Sequence, residues 1–201
     1  MGSKRYSMKY SIIFLNYDPH NVLAEMTAKA IKSIEENSKD YDYEIIEVKN
    51  VVGYSSAVNN GFDRVTGDYI IVANSDILVH DSKWLEKYSE VPNTITSRQL
   101  ISFYMNDDMF PDGCCWGLYK EDQKKIGHMD TAYDAGYGCD EVDYFYRAKE
   151  LGIGWRACDT KIQHLENQTF NNYYSPIKEA MTERNVRLFK EKWGSKLTLK
   201  I

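Results

Sequence analysis

The sequence predicts an α/β protein built on a mostly parallel sheet with helices on both faces. Three observations predict it. Short apolar runs alternate with helix-period segments over the first half of the chain. The run at residues 69–73 is entered through Gly67-Asp68 and stops at Asn74-Ser75-Asp76, which is how an open sheet offers a carboxylate to a ligand beyond its strand ends. And 201 residues with 43% hydrophobic content can bury one sizeable core, enough for a single domain.

The elements follow in order. Residues 10–15 read as a buried strand, and Pro19 precedes an apolar pattern at Val22, Leu23, Met26, Ala30, Ile31 and Ile34 that reads as a helix. Residues 43–48 are expected to form a second strand, 55–65 a helix and 68–73 a third strand, joined by right-handed crossovers. Past Asp76, residues 83–91 read as a short helix, and 94–105, rich in β-branched and aromatic side chains, as a segment entering the sheet. Residues 106–113, ending in Pro111-Asp112-Gly113, read as a turn or exposed loop. Then come a strand at 114–119, a short helix at 121–126 closed by Gly127, a helix at 140–151 stopped by Gly152, and a strand at 153–158. Residues 165–175 lack periodicity and read as a polar-aromatic loop, a candidate lid, after which Pro176 starts a terminal helix running to about Trp193. The chain shows no internal repeat, low-complexity tract or linker.

Composition excludes several function classes. A net charge of -5 and a pI of about 5.4 supply no overall basic field toward nucleic acid or anionic lipid. No apolar stretch approaches the roughly 20 residues that cross a bilayer, and Met1-Gly2-Ser3-Lys4-Arg5 reads as a tag, so the expectation is a soluble, cytoplasmic protein whose residues 1–9 are a tag or disordered start. Cys114, Cys115, Cys139 and Cys158 include no C-x-x-C spacing and read as free thiols.

Three element ends carry polar chemistry: Asp76, the helix start Asp140-Glu141-Val142-Asp143, and His164 after the last strand. They read together as one site. Asp76 offers an oxygen ligand for Mg²⁺ or Mn²⁺ on a diphosphate, and His164 as a second ligand would favour Mn²⁺. Glu141 at a helix start is held ionised by the macrodipole and can accept a proton. Asn59 and the Gly53 turn offer amide and backbone N–H groups to a phosphate or ribose, and Trp116 a ring face to a sugar. The bland alternatives are Asp76 as a helix cap before Trp84 and Leu85, His164 as a hydrogen-bonded strand-end residue, Trp116 as core, and the three acids as capping residues, with Arg147 paired to Asp143 at i,i+4.

Taken in order, residues 53–62, with Ala57-Val58-Asn59-Asn60-Gly61, and residues 67–76, with Gly67-Asp68-Tyr69 leading to Asn74-Ser75-Asp76, resemble the donor half of family-two glycosyltransferases of the GT-A fold. Ile126-Gly127-His128-Met129-Asp130 is similar to that family's I-G-x-F-D segment, Asp140-Glu141-Val142-Asp143 with Arg147 to its E-D-x-D helix start, and His164 to the histidine after its last sheet strand. The resemblance spans residues 10–164. It implies a Rossmann-like, mostly parallel mixed sheet, with a donor half at 10–92, an acceptor and catalytic half at 93–164, and a lid loop and C-terminal helix at 165–201. It implies metal-dependent, inverting transfer from a nucleotide-diphosphate sugar, UDP-sugar favoured, to a glycan, small molecule or modified nucleic-acid base. Asp76 and His164 would hold Mn²⁺ or Mg²⁺. Asn16, Glu47, Gly53, Asn59, Asn74 and Ser75 would bind the donor, Trp116 and Asp143 the acceptor or sugar, and Glu141 or Asp140 would be the base.

Two segments depart from the family pattern. The Asp-Asp/Asn-Gly-Ser turn expected between Glu47 and Gly53 is missing, leaving Glu47 or Asn50 to hold the base, and the acid pair is reversed, with register favouring Glu141 as the catalytic residue. A nucleotidyltransferase would need a Gly-rich basic loop where this chain has Asn16-Tyr17-Asp18-Pro19-His20. A non-catalytic nucleotide-sugar or carbohydrate-binding module would keep Asp76 and the aromatics.

Overall fold

The structure, a computed structural model, describes residues 8–102, 108–165, 168–173 and 177–194. Its elements are β1 (Lys9–Asn16), α1 (Ala24–Ser38), β2 (Asp42–Lys49), α2 (Tyr54–Phe62), β3 (Tyr69–Asn74), β4 (Ile77–Val79), α3 (Trp84–Tyr88), β5 (Thr94–Ser97), β6 (Leu100–Ser102), β7 (Met109–Pro111), β8 (Cys115–Tyr119), α4 (Lys120–Ile126), α5 (Asp140–Glu150), β9 (Gly154–Ala157), β10 (Ile162–His164), α6 (Gln168–Tyr173) and α7 (Lys178–Trp193). The central sheet has six strands in the order β2-β1-β3-β8-β5-β9. Only β8 runs against the others. Alternation along the strands divides the core. Ile13, Ile70 and Val72 face α2, α5 and α7, whereas Ile12, Phe14, Ile71 and Ala73 face α1 and α3. Among the described residues no helix is long and apolar enough to cross a membrane.

Four details differ from the sequence expectation. The first helix begins at Ala24, because the Asp18 carboxylate accepts the N–H groups of Val22 and Leu23 at 2.9 Å each and holds the intervening residues in turns. The segment from residue 94 enters the main sheet only as β5. Its continuation β6 pairs antiparallel with β7 in a separate ribbon, so part of the expected 106–113 loop is a strand, held inward by the buried ring of Phe110 against Tyr146 and Trp155. Residues 103–107 lie outside the described residues. A second ribbon, β4 with β10, places His164 opposite Ile77. Finally, residues 168–173 of the expected irregular loop form α6, whose amides bond along the helix, as in Asn172 Nδ2 to the Gln168 carbonyl at 2.7 Å. Residues 166–167 and 174–176, including the expected helix start at Pro176, and the start at residues 1–7 lie outside the described residues.

Helix α7 locks α5 in place. Asp143 is fully buried and accepts from Arg147 Nε at 3.1 Å, Trp193 Nε1 at 2.7 Å and Lys192 Nζ at 2.8 Å. Asn185, also fully buried, donates to the carbonyls of Tyr133 and Gly138, fixing the loop that leads into α5. Removing one partner of such a network strands the others. Asp143→Ala should therefore lower unfolding stability by about 3 kcal/mol, read as a fall in the urea midpoint, while Asp130→Ala, at a half-buried site, should cost about 1 kcal/mol or less.

Candidate active site

The site lies at the C-terminal edge of β1, β2 and β3, where an open α/β sheet leaves its strand tips free. Two residues past the end of β3, Asp76 is buried, its main-chain carbonyl accepting the N–H of Leu165 at 2.8 Å and its Oδ2 the N–H of Gln168 at 3.2 Å. Its Oδ1 stands 3.2 Å from His164 Nε2. Neither atom is hydrogen-bonded although both are buried. Buried polar atoms are normally satisfied. Two ligands about 2.1 Å from one cation at right angles would stand about 3.0 Å apart, so this nitrogen-oxygen pair fits a shared divalent ion. Beside it Asp112, Cys114 and His164 bring one ligand atom each within 4.8 Å of one another. Arg98 already serves two of these, with a guanidinium nitrogen 2.6 Å from Asp112 and Nε donating to Cys114 at 3.2 Å, so the triad reads as a salt-bridged wall of the site.

Antiparallel pairing carries the second half of the site to the same edge. Ala73 registers with Cys115, and Asn74 N–H donates to the Cys114 carbonyl at 2.9 Å, which sets the Asp112-Gly113-Cys114 turn beside the tip of β3. Glu141 meets that turn. A Cβ on Gly113 would lie 2.3 Å from Glu141 Oε1, so only glycine admits the carboxyl there. Burial, then the neighbouring charge of Asp140, pushes Glu141 well above the ordinary carboxyl range, and burial also raises Asp140. The Tyr137 hydroxyl is pushed up to about 12 by burial and by the charges of Glu141, Asp140 and Asp76. Glu141 was expected to be held ionised by the helix dipole; desolvation outweighs that effect.

The donor-side residues divide. Asn16 Nδ2 donates to Glu47 Oε1 at 2.8 Å, and Glu47 also pairs with Lys49 at 3.0 Å. With Asp18, Thr27 and Asn50 they line a cavity of about 330 Å³ floored by Ala24, Ala28 and Ile31 of α1. Behind its lining, Asn16 Oδ1 and Thr27 Oγ1 are buried without a hydrogen-bond partner. Asn74 is half-buried and Ser75 buried between β3 and Asp76. Gly53 stands at φ 90°, where a Cβ would strike the Asp134 carboxyl at 2.3 Å. Asp134 occupies the start of α2, accepting from both N–H and hydroxyl of Ser56. Asn59 is committed as well, its amide bonding the main-chain carbonyl and N–H of Met129 at 3.0 and 2.8 Å. It pins the loop around Met129 through one N–H and its carbonyl oxygen.

Two expected acceptor residues sit elsewhere. Trp116 is 0% exposed between Phe62, Tyr144 and Phe145, with Nε1 donating to the Tyr54 hydroxyl, because β8 is an interior strand covered on both faces. Asp143 is spent on the α7 network, since two residues on from Glu141 it lies about 200° around the helix, facing the core. The residues sequence reasoning missed are Asp112, Asp134, Tyr54 and Arg98. Only the Pro111-Asp112-Gly113 turn ahead of a strand carried a signal, because a strand start at an antiparallel edge lies beside its neighbour's end.

The family description "Glycosyl transferase family 2" matches residues 12–91. Among curated proteins none matches by sequence. Among solved structures, a Drosophila β1,4-galactosyltransferase 7 mutant in complex with manganese, UDP-Gal and xylobiose aligns at TM-score 0.63 and 18% identity, over 82% of this chain and 73% of that one. A GalNAc-T7 structure with UDP, GalNAc and Mn²⁺ aligns at 0.64 and 10% identity, over 80% of this chain and 44% of that one. The mannosyltransferase PcManGT from Pyrobaculum calidifontis, in complex with GDP-Man and Mn²⁺, aligns at 0.52 and 13% identity, over 77% and 57%. The resemblance read from the motifs is borne out as a likeness: residues 12–91 match the glycosyl transferase family 2 model, and the fold is GT-A.

Proposed function

We propose that the protein is a metal-dependent, inverting glycosyltransferase that moves a sugar from a nucleotide-diphosphate sugar to an acceptor hydroxyl. The observation that carries this reading is the pair Asp76 Oδ1 and His164 Nε2, 3.2 Å apart and neither hydrogen-bonded, beside the Gly113-Cys114 turn that Glu141 meets. On this reading residues 10–92 hold the donor and residues 93–164 supply the base and acceptor side. A divalent cation, Mn²⁺ or Mg²⁺, held by Asp76 and His164 would neutralise charge on the departing diphosphate. Mn²⁺ is favoured by the imidazole ligand.

The chain's own residues do the rest. Asn16, Thr27 and Glu47 line the cavity proposed for the nucleoside. UDP-sugar is the first donor to test, with GDP-mannose for comparison. Glu141 takes the acceptor's proton as the acceptor oxygen forms its bond to the anomeric carbon and the bond from that carbon to the diphosphate breaks. Attack opposite the leaving group inverts the anomeric centre. Asp140 holds Glu141 in place and raises its proton affinity, its Oδ1 accepting the Glu141 N–H at 3.2 Å.

The pH dependence follows from the direction of that shift. A base with a raised pKa loses activity as pH falls through the raised value, so the acid limb of kcat should lie above the ordinary carboxyl range. Stability runs the other way. A carboxyl that holds its proton more tightly folded than unfolded contributes stability below its unfolded pKa and loses it as pH rises through the folded one. Glu141→Gln should therefore lower kcat by about 10²–10⁴-fold, leave donor affinity unchanged, and raise the melting midpoint at neutral pH by about 2–4 °C per kcal/mol of relieved repulsion. Unchanged turnover in that variant would remove Glu141 from the reaction. UDP with Mn²⁺ at about 100 times its Kd should stabilise the protein by about 2.7 kcal/mol. Asp76→Asn or His164→Ala should abolish the part of that thermal shift that EDTA removes, whereas indifference of the wild type to every nucleotide diphosphate would overturn the proposed reaction.

A further inference from the structure

The Tyr54 hydroxyl bridges the start of α2 and the turn that enters β8. It accepts the Trp116 indole N–H at 3.1 Å and donates to the Gly113 carbonyl at 3.1 Å. The direction of both bonds is fixed. An indole nitrogen only donates and a carbonyl only accepts, so the single phenolic proton points at Gly113. Burial, then the charge of Glu141, pushes the hydroxyl well above the usual phenol range, which keeps that proton on the oxygen.

The carbonyl it holds belongs to the turn that Glu141 meets. The residues on either side are tied down independently. Asn74 donates to the Cys114 carbonyl, the Cys114 N–H donates to Asp112 Oδ1 at 3.2 Å, and Asp112 Oδ2 accepts from Gln99 Nε2 at 3.0 Å and pairs with Arg98 at 2.6 Å. Gly113 has no side chain to anchor it. Its carbonyl and the Cys114 N–H share one rigid peptide plane, held by Tyr54 on one side and Asp112 on the other. Tilting that plane shifts the Gly113 Cα, which lies so near Glu141 that a Cβ on it would come within 2.3 Å of Oε1. The glutamate carboxyl therefore rests on a surface whose tilt the Tyr54 hydroxyl sets.

Titratable groups reach Glu141 from each element around this contact: Asp140 on its own helix, Asp112 on the turn, Tyr54 on α2 and Tyr137 on the loop before α5. None of these four is cationic. The desolvation that does most to raise the proton affinity of Glu141 lasts only as long as the turn stays closed over it.

We infer that Tyr54, backed by Trp116, is a positioning residue for Glu141: its hydroxyl holds the Gly113 peptide so that the turn covers the carboxyl and fixes where it points. This rests on the transferase reading above, in which Glu141 is the base, and adds a residue of α2 to the catalytic half. Trp116 then serves the site from behind the tyrosine, through its N–H rather than its ring face.

The test compares the full chain with Tyr54→Phe, and with Tyr69→Phe as a control that deletes a buried hydroxyl bonded to the Tyr88 carbonyl at 2.8 Å on the other face of the sheet. Carbon-13 NMR of the glutamate carboxyls follows Glu141, its signal identified by its loss in Glu141→Gln. In Tyr54→Phe the Glu141 midpoint should fall by about one pH unit toward the ordinary carboxyl range, because water reaches the carboxyl. Release of UDP from UDP-glucose or UDP-galactose with Mn²⁺, water standing in for the acceptor, should fall about tenfold in kcat with donor KM within about twofold. Tyr69→Phe should lower the melting midpoint and move neither quantity. An unmoved Glu141 midpoint in Tyr54→Phe, an unchanged kcat, or equal movement in both variants removes Tyr54 from the site. Should Tyr54→Phe not fold, Trp116→Phe keeps the tyrosine and deletes the N–H that orients it; the midpoint should fall there too, and an unmoved one rejects the inference. The transferase reading stands or falls separately. A wild type whose melting point ignores UDP with Mn²⁺ brings that reading down, whereas the NMR titration still decides whether Tyr54 holds Glu141.

Discussion

Everything at the active edge depends on β8 running against β3. In a wholly parallel sheet the start of β8 would lie at the far edge, a strand length from Asp76. Reversal puts Cys115 opposite Ala73 and lets the Asn74 N–H reach the Cys114 carbonyl. The turn that enters β8 is thereby held against the carboxylate that ends β3. Tyr54, at the start of α2, adds a third tie through its hydroxyl to the Gly113 carbonyl at 3.1 Å. The bare Cα of Gly113 then leaves the space that Glu141 fills. One reversed strand thus joins a candidate metal pair to a candidate base.

Holding those carboxyls together works against stability, and the opposite side of α5 offsets it. Asp140 and Glu141 are raised chiefly by burial and by each other, which means the folded protein resists their ionisation. Gly138 and Cys139, just before them, both stand in the left-handed region at φ 72° and 71°, and for cysteine that conformation is strained. The same helix then commits Asp143 to Arg147, Lys192 and Trp193, and α7 sends Asn185 back to the strained loop. Acids on one face of α5 are poised for chemistry, and the acid on the other keeps the helix where that chemistry needs it.

That division also explains what the sequence disclosed. The α/β alternation, the strand ending before Asp76 and the helix opening at Asp140 were legible because each lies at the boundary of a long periodic segment. The ribbons β4–β10 and β6–β7 were not, since three residues carry too little alternation to distinguish a strand from a turn. Roles proved harder than places. Asn59 stands in a recognisable motif, and its bonds to Met129 were not visible there. Trp116 offers a ring by type, but its strand has neighbours on both edges and helices over its face. Asp134 gave no signal, because capping α2 from 78 residues away is a property of the tertiary fold alone.

Asp134 bears on how a diphosphate would be held. A helix start beside a glycine turn commonly binds phosphate through its N–H groups and dipole. Here a carboxylate already sits there, accepting from Ser56, so the start of α2 presents negative charge to the edge of the sheet. Two basic side chains near that edge are matched, Lys49 to Glu47 and Arg98 to Asp112, and Lys178 stands over the Tyr137 ring with Nζ 4.9 Å from its centroid. On the proposed reading, the described residues at the tips of β1, β2 and β3 supply little unmatched positive charge for the leaving group. The burden falls on a cation between Asp76 and His164, and that is the physical reason to expect the reaction to require the metal rather than merely to benefit from it.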